Sequence, residues 1–425
     1  MKKILALVLA VAMIFTCTAA ALAEGSLRVS WWGGQERHNM TISALDAYAA
    51  ANGLTIEPEY NSWSSYFETL ATQAVGKNLP DVLQMSTTDI INYATNGQIV
   101  DLNQFVEKGI IDLSNIDPAS LSGGTVGDML AGFTTGTNTV TVIYNKDIFD
   151  QAGVAYPADD WKWSDFIATA KEIYEKTGVQ TDIPFLTEAR WVVETWVRSY
   201  GYDFFSADGT YLPWADDDDL KIAMGDAIED IYEGIGEGYF IDPEVQIAWS
   251  TTEENYICQG KSAMAFLLSN YYNVYCNALG AELGMAMLPT LDNGTQSGMY
   301  LNSNMYWCIS SNASDPDAAA ALLNYLINST EAASYIRTDR GISLSSAVRD
   351  YLATSEDTDV YTTNVLNYVS RVSGVVSTVN PADPANSAEP ISVLKTDYQA
   401  VMYGDMSGDD CIADFVEQAT YMLAQ

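Results

Sequence analysis

Three short segments carry side chains able to recognise a polar ligand: Trp31-Trp32-Gly33-Gly34-Gln35-Glu36-Arg37, Asn61-Ser62-Trp63 and Ser86-Thr87-Thr88-Asp89. Each mixes flat aromatic or small residues with amide, guanidinium or carboxylate groups. That mixture suits non-covalent binding, with rings as platforms and polar groups as hydrogen-bond partners. It lacks the Gly-rich pattern that cradles phosphates, because Gly33-Gly34 alone is no dinucleotide fingerprint. A single histidine, His38, excludes multi-His zinc sites. The 56 Asp+Glu supply endless pairs of acids, so their abundance proves no hydrolytic chemistry, and no acidic motif stands out in these segments. Asp216 to Asp219 lacks the alternating spacing and glycine of a calcium loop and reads as the acidic first turn of a helix. Asp405 to Asp410 reads as a loop before the last helix. No catalytic group, metal or cofactor is expected.

The three segments share one structural origin. Leu27 to Trp32 alternates with period two, Leu54 to Tyr60 reads as a second strand, and Leu79 to Met85 as a third. Between them, Thr41 to Ala51 and Ser64 to Val75 repeat apolar residues at helical spacing. A β-α-β-α-β order with short connections predicts a parallel sheet covered on both faces. Ligands of open parallel sheets bind beyond the carboxyl ends of the strands, where all three segments fall. Of Trp31, Trp32 and Trp63, at least one is therefore expected to face a ligand. Further along, Asp165 to Thr177 and Leu220 to Ile235 read as amphipathic helices, and Asn380 to Pro390 as an irregular loop.

The 425-residue chain is 48% hydrophobic, enough for two or three domains with sizeable cores. Its 19 Lys+Arg against 56 Asp+Glu give a formal charge of −37, which argues against a nucleic-acid partner. Lys2 and Lys3, the apolar run Ile4 to Phe15 and Ala21-Leu22-Ala23 have the anatomy of a secretory signal peptide spanning 1–23. The apolar run is too short to span a membrane. A rival reading makes Cys17 a lipidated anchor, although Ile14-Phe15-Thr16 is a poor match to a lipobox. Cys258, Cys276, Cys308 and Cys411 remain after cleavage. Their isolated apolar surroundings suggest buried thiols, while export leaves a Cys258–Cys276 disulfide open.

Six segments occur in an order that resembles one family. Leu27 to Arg37 resembles its first strand and sugar-contacting loop, and Asn78 to Met85 its Pro-Asp-Val strand. Gly136 to Phe149, with Tyr144-Asn145-Lys146, is similar to its crossover between lobes. Gly260 to Met264, Met287 to Thr290 and Arg340 to Ile342 follow in register. The family is the extracytoplasmic solute-binding proteins of ABC transporters, in the carbohydrate-binding branch related to maltose-binding protein. The resemblance implies an α/β, two-lobed periplasmic-binding-protein-like fold with discontinuous lobes and hinge strands. It places residues 24–138 and 290–342 in the N-terminal lobe and 139–289 and 343–425 in the C-terminal lobe. A carbohydrate, an oligosaccharide by preference, would be captured between the lobes and handed to ABC permease subunits by an exported, periplasmic or cell-surface monomer. Another polar solute such as a peptide, or secreted glycoside hydrolysis, are the alternatives.

Sugar rings lay apolar C–H faces on Trp or Tyr and demand partners for every hydroxyl. The resemblance therefore nominates Trp32 and Trp63 as platforms and Gln35, Arg37 and Tyr66 as polar contacts. Thr137 and Asn138 fall at the cleft floor, Trp191, Trp249 and Asn270 come from the second lobe, and Asn302 from the returning segment. Trp307 lies further along an apolar strand and reads as core. Related sequences often place an Asp soon after the Pro-Asp-Val strand; here either Asp89 substitutes or that contact is missing. Arg37 with His38 suits an acidic sugar such as a uronate, or else Arg37 donates to neutral hydroxyls while His38 caps the following helix.

Overall fold

The computed structural model describes residues 25–424 except 117, 207, 304, 357, 377–382 and 385. The expected export segment, with Cys17, lies outside the described residues. The strands are β1 (Ser26–Trp32), β2 (Thr55–Asn61), β3 (Val82–Ser86), β4 (Thr125–Val126), β5 (Met129–Leu130), β6 (Phe133–Thr134), β7 (Thr137–Asn138), β8 (Val140–Tyr144), β9 (Met264–Leu268), β10 (Gly284–Ala286), β11 (Asn302–Ser303) and β12 (Met305–Ile309). The first helices are α1 (Gln35–Asn52), α2 (Trp63–Val75) and α3 (Thr87–Thr95).

The first lobe is built on a sheet of order β2-β1-β3-β12-β6. β1 pairs in parallel with β2 and β3, as the β-α-β-α-β reading requires, and β12 and β6 add antiparallel strands. Period two in β1 sends Leu27, Val29 and Trp31 to one face, against Leu45 and Tyr48 of α1. Trp32 goes to the other face, with Tyr66 and Leu70 of α2. Burying side chains of this size contributes about 1.5–3 kcal/mol each, which is why both faces must be covered.

α1 begins six residues earlier than its apolar periodicity suggests. Its polar first turn is held by tertiary bonds: Trp31 Nε1 donates to His38 Nδ1 at 3.1 Å, and Arg37 Nε donates to Asp339 Oδ2 at 2.7 Å. His38 is thus inside the helix, and Gly34 occupies the cap position.

The second lobe carries a three-stranded antiparallel sheet, β10-β8-β9, inside a large core. Helices Trp163–Thr177, Arg190–Ser199, Asp218–Glu237, Val360–Ser373, Ala388–Met402 and Gly408–Leu423 pack around it. The acidic run does start a helix: Asp217 accepts from the Leu220 amide at 3.0 Å, and Asp218 pairs with Lys221 at 2.8 Å. Cys258, Cys276, Cys308 and Cys411 are all buried free thiols. Among the described residues no helix is long and apolar enough to cross a membrane.

Three segments pass between the lobes side by side. β7 pairs antiparallel with β11, Asn138 opposite Asn302 and Thr137 opposite Ser303. On its other side, the Thr137 amide donates to Ile342 O at 2.8 Å and the Ile342 amide returns to Thr137 O at 2.9 Å. Gly136 and Gly341 make this crossing fit. A Cβ on Gly136 would lie 2.6 Å from the Gly341 carbonyl carbon, and Gly341 has φ +104°.

Leu291, Met299, Tyr300 and Leu301 pack in the second core, and the chain then pairs with β7 at Asn302–Ser303. The Met287–Thr290 motif ends at Thr290, which bridges to Lys162 within the second lobe.

Candidate ligand-binding cleft

At the carboxyl end of β1 an aromatic cluster forms because three successive elements each contribute a ring. Trp32 lies 5.1 Å from Trp63, 5.2 Å from Tyr66 and 5.5 Å from Phe67, centroid to centroid. Burial separates their roles. Trp32 is 7% exposed and Trp63 57%, so Trp63 offers a free ring and Trp32 backs it. Tyr66 is withdrawn from the role expected of it. Its ring is fully buried, and its hydroxyl lies 2.8 Å from Gln84 O and 3.1 Å from Ser30 O. Burial also pushes the phenol far above its usual range.

Arg37 is placed in an ion pair. Gly33 has no side chain where the Arg37 stem folds back, since a Cβ there would meet Cδ of Arg37 at 2.5 Å. The guanidinium reaches Asp339, with Nε on Oδ2 at 2.7 Å and Nη2 on the Asp339 carbonyl at 3.1 Å. The same carboxylate takes Arg340 Nη1 at 3.3 Å. Arg340 is buried, donating also to Gln84 Oε1 (3.0 Å) and Thr41 Oγ1 (2.8 Å) and lying over the Trp307 ring. Desolvation pulls the Arg340 guanidinium down to about 9, opposed by Asp339. Trp307 is buried core.

Neither acidic-sugar contact nor helix cap describes His38. It accepts the Trp31 indole proton and stacks on Tyr60 at 4.2 Å. Burial, then Arg340 and Arg37, lower its pKa, opposed by Asp339. Gln35 is exposed and bonded to Asn39, and Asp89 is partly buried in the first turn of α3, where its carboxylate takes the Ser86 hydroxyl at 2.5 Å.

The crossing strands form a second group. Asn138, Ser269, Asn270, Asn273, Thr338, Gly341, Ile342 and Val365 line a pocket with about 20 Å³ of free space, room for about one water-sized group. Thr137 is committed to the Ile342 backbone, whereas Asn138 is 2% exposed and its Oδ1 has no partner among the described residues. Asn302 stands opposite it in the ladder. Asn270 is exposed directly after β9.

Asn273 was missed in the sequence, although it follows Asn270 by three residues just beyond a strand end. Its amide orientation is fixed by bookkeeping of protons. Thr362 Oγ1 donates to Asp359 Oδ2 at 2.9 Å, so it must accept from Asn273 Nδ2, also at 2.9 Å. That leaves Asn273 Oδ1 buried and unpartnered. Buried polar atoms nearly always find partners, so two orphan amide oxygens on residues of one pocket mark a place where donors are wanted.

Trp191 and Trp249 stand outside this group. Trp191 is half-buried, edge-on to Phe185 at 5.2 Å, and its carbonyl accepts from Tyr300. Trp249 is half-buried beside Tyr256 at 5.3 Å. Asp339 links the two main groups: it holds Arg37 below the aromatic cluster while its neighbours Thr338 and Gly341 line the floor.

Two α/β lobes are thus joined by three adjacent crossings, with a polar floor between them. The pattern that defines bacterial extracellular solute-binding proteins matches residues 39–333. The chain belongs to that family. As a solute-binding protein it is 24% identical over 298 residues to the galactooligosaccharide-binding protein of Bacillus subtilis, covering 68% of this chain and 66% of that one. It thus spans slightly less than two thirds of that relative's length. A family 1 extracellular solute-binding protein from Alicyclobacillus acidocaldarius superposes with a TM-score of 0.79 at 25% identity, over 94% of this chain and 98% of the other. A periplasmic oligogalacturonide-binding protein from Yersinia enterocolitica superposes at 0.75 with 20% identity, over 94% and 98%, which establishes the shared fold. The family comprises binding proteins rather than enzymes.

Proposed function

We propose that this protein is an exported receptor that captures a carbohydrate, an oligosaccharide by preference, between its lobes and delivers it to an ABC import permease. The observation that carries this reading is the interlobe floor, where Asn138 and Asn273 hold buried amide oxygens without partners among the described residues. Sugar hydroxyls are donors of the kind those oxygens lack, and the exposed Trp63 ring offers a face for pyranose C–H groups. The Bacillus subtilis relative supports the ligand class. Ligand contacts from both lobes favour the closed arrangement, and that differential affinity is what a permease would read as loading.

The N-terminal signal supports release outside the membrane after cleavage at Ala23, with lipidation of Cys17 the lesser alternative, and delivery needs only a monomer. A thermal-shift screen over neutral and acidic saccharides, peptides and other polar solutes tests the reading, because a ligand bound only by the folded state raises the melting temperature. Saccharides are expected to give the shifts. Shifts confined to peptides or other solutes would refute it.

A further inference from the structure

We infer that the ligand is an uncharged saccharide and that the protein discriminates against its uronate counterpart. The inference rests on the carbohydrate reading and adds the charge class. Its basis is how the arginines near the floor are spent. A buried carboxylate needs a cation or several donors, since its desolvation otherwise outweighs the gain from binding. Among the described residues no Lys or Arg lines the floor pocket. Arg340, next in sequence to floor-lining Gly341, and Arg37 converge on the single carboxylate of Asp339, at 3.3 and 2.7 Å.

The pattern repeats in the second lobe beside Trp191. Arg190 holds Asp383 through both terminal nitrogens, at 2.5 and 2.6 Å, and its Nε lies 3.2 Å from Glu194. Arg198 pairs with Glu194 at 3.1 Å and Asp203 at 3.3 Å. The guanidiniums of Arg37, Arg340, Arg190 and Arg198 are thus already answered by the protein's own acids.

The polar groups that remain point the same way. Asn138 Oδ1 and Asn273 Oδ1 are acceptors, and the Thr362–Asp359 chain prevents Asn273 from turning its nitrogen inward. A hydroxyl satisfies such an oxygen; a carboxylate has no proton to give and is repelled by it. The formal charge of −37 adds a long-range field that opposes anionic ligands and weakens with salt.

The test titrates the mature chain by calorimetry with the neutral saccharide that gives the largest thermal shift, and with the same saccharide oxidised at C6 to the uronate. The uronate is expected to bind at least about tenfold more weakly. Equal or tighter uronate binding overturns the inference and leaves the carbohydrate reading standing. Binding by neither form of any saccharide overturns the carbohydrate reading, and the inference falls with it. Asp339→Asn then tests the cause, because it removes the carboxylate shared by Arg37 and Arg340. The ratio of uronate to neutral affinity is expected to rise about tenfold. A purely structural role for Asp339 would weaken both ligands alike and refute the assignment of charge preference to that ion pair. Asp383→Asn applies the same test at Arg190 should the first variant not fold.

Discussion

Asp182→Asn should stabilise the second lobe in a pH-dependent way. Asp182 is buried between the segment that precedes Ile183 and the start of β9, where its amide donates to Met264 O at 3.0 Å. Its Oδ1 has no hydrogen-bond partner, and no cation pairs with it among the described residues. Around it stand Ser262, Cys258 and Tyr275, of which only the Ser262 hydroxyl favours the charged form. Desolvation therefore raises its pKa from 3.8 to about 7. A carboxyl that ionises later in the folded state than in the unfolded one costs stability as pH rises. Its contribution is neutral below about pH 4, declines by about 1.4 kcal/mol per pH unit up to about pH 7, and is constant above, a span of about 4 kcal/mol. Asparagine keeps the shape and removes the titration. Urea unfolding of both proteins at pH 4, 6 and 8 reads the difference directly. The variant is expected to gain a few kcal/mol over wild type at pH 8 and little at pH 4. A variant-to-wild-type difference that does not change with pH would refute the reasoning.

Trp63→Ala should weaken saccharide binding about tenfold at a stability cost of about 0.5–1.5 kcal/mol from its contacts with Trp32 and Phe67, whereas Trp32→Ala should cost about 3–5 kcal/mol of stability; calorimetric titration and urea unfolding separate the two. Gly341→Ala should lower the melting temperature and reduce affinity together, because φ is +104° and the new methyl would sit 3.0 Å from Asn138 Oδ1. Arg37→Ala should destabilise the first lobe by about 1–3 kcal/mol by leaving Asp339 with Arg340 alone; loss of binding with unchanged stability would instead mark Arg37 as a direct ligand contact.

The fold was legible where the signal is local. Alternation in Leu27 to Trp32 and helical spacing in Ser64 to Val75 produced the parallel core of the first lobe, and the order of weak motifs implied the crossings. The start of α1 was not legible, because its first turn is polar and is fixed by Asp339, far away in sequence. The Arg37 partner was hidden for the same reason: a guanidinium in a Gly-rich loop looks free until the fold supplies its carboxylate. The pairing of Asn302–Ser303 with β7 was not legible, because it joins residues more than 160 positions apart. Tyr66 could not be judged from type alone, since a tyrosine after a strand end serves equally as a ligand contact or as a buried bond to backbone carbonyls. Asn138 and Asn270 were nominated by position, but Asn273 acquires meaning only through Thr362 on a helix 89 residues on.

Small-angle X-ray scattering of the mature chain, with and without a saturating saccharide that raises its melting temperature, tests most directly whether ligand is captured between the lobes. The account predicts a smaller radius of gyration in the bound state, reversed when the saccharide is dialysed away. An unchanged scattering profile at proven saturation would contradict it.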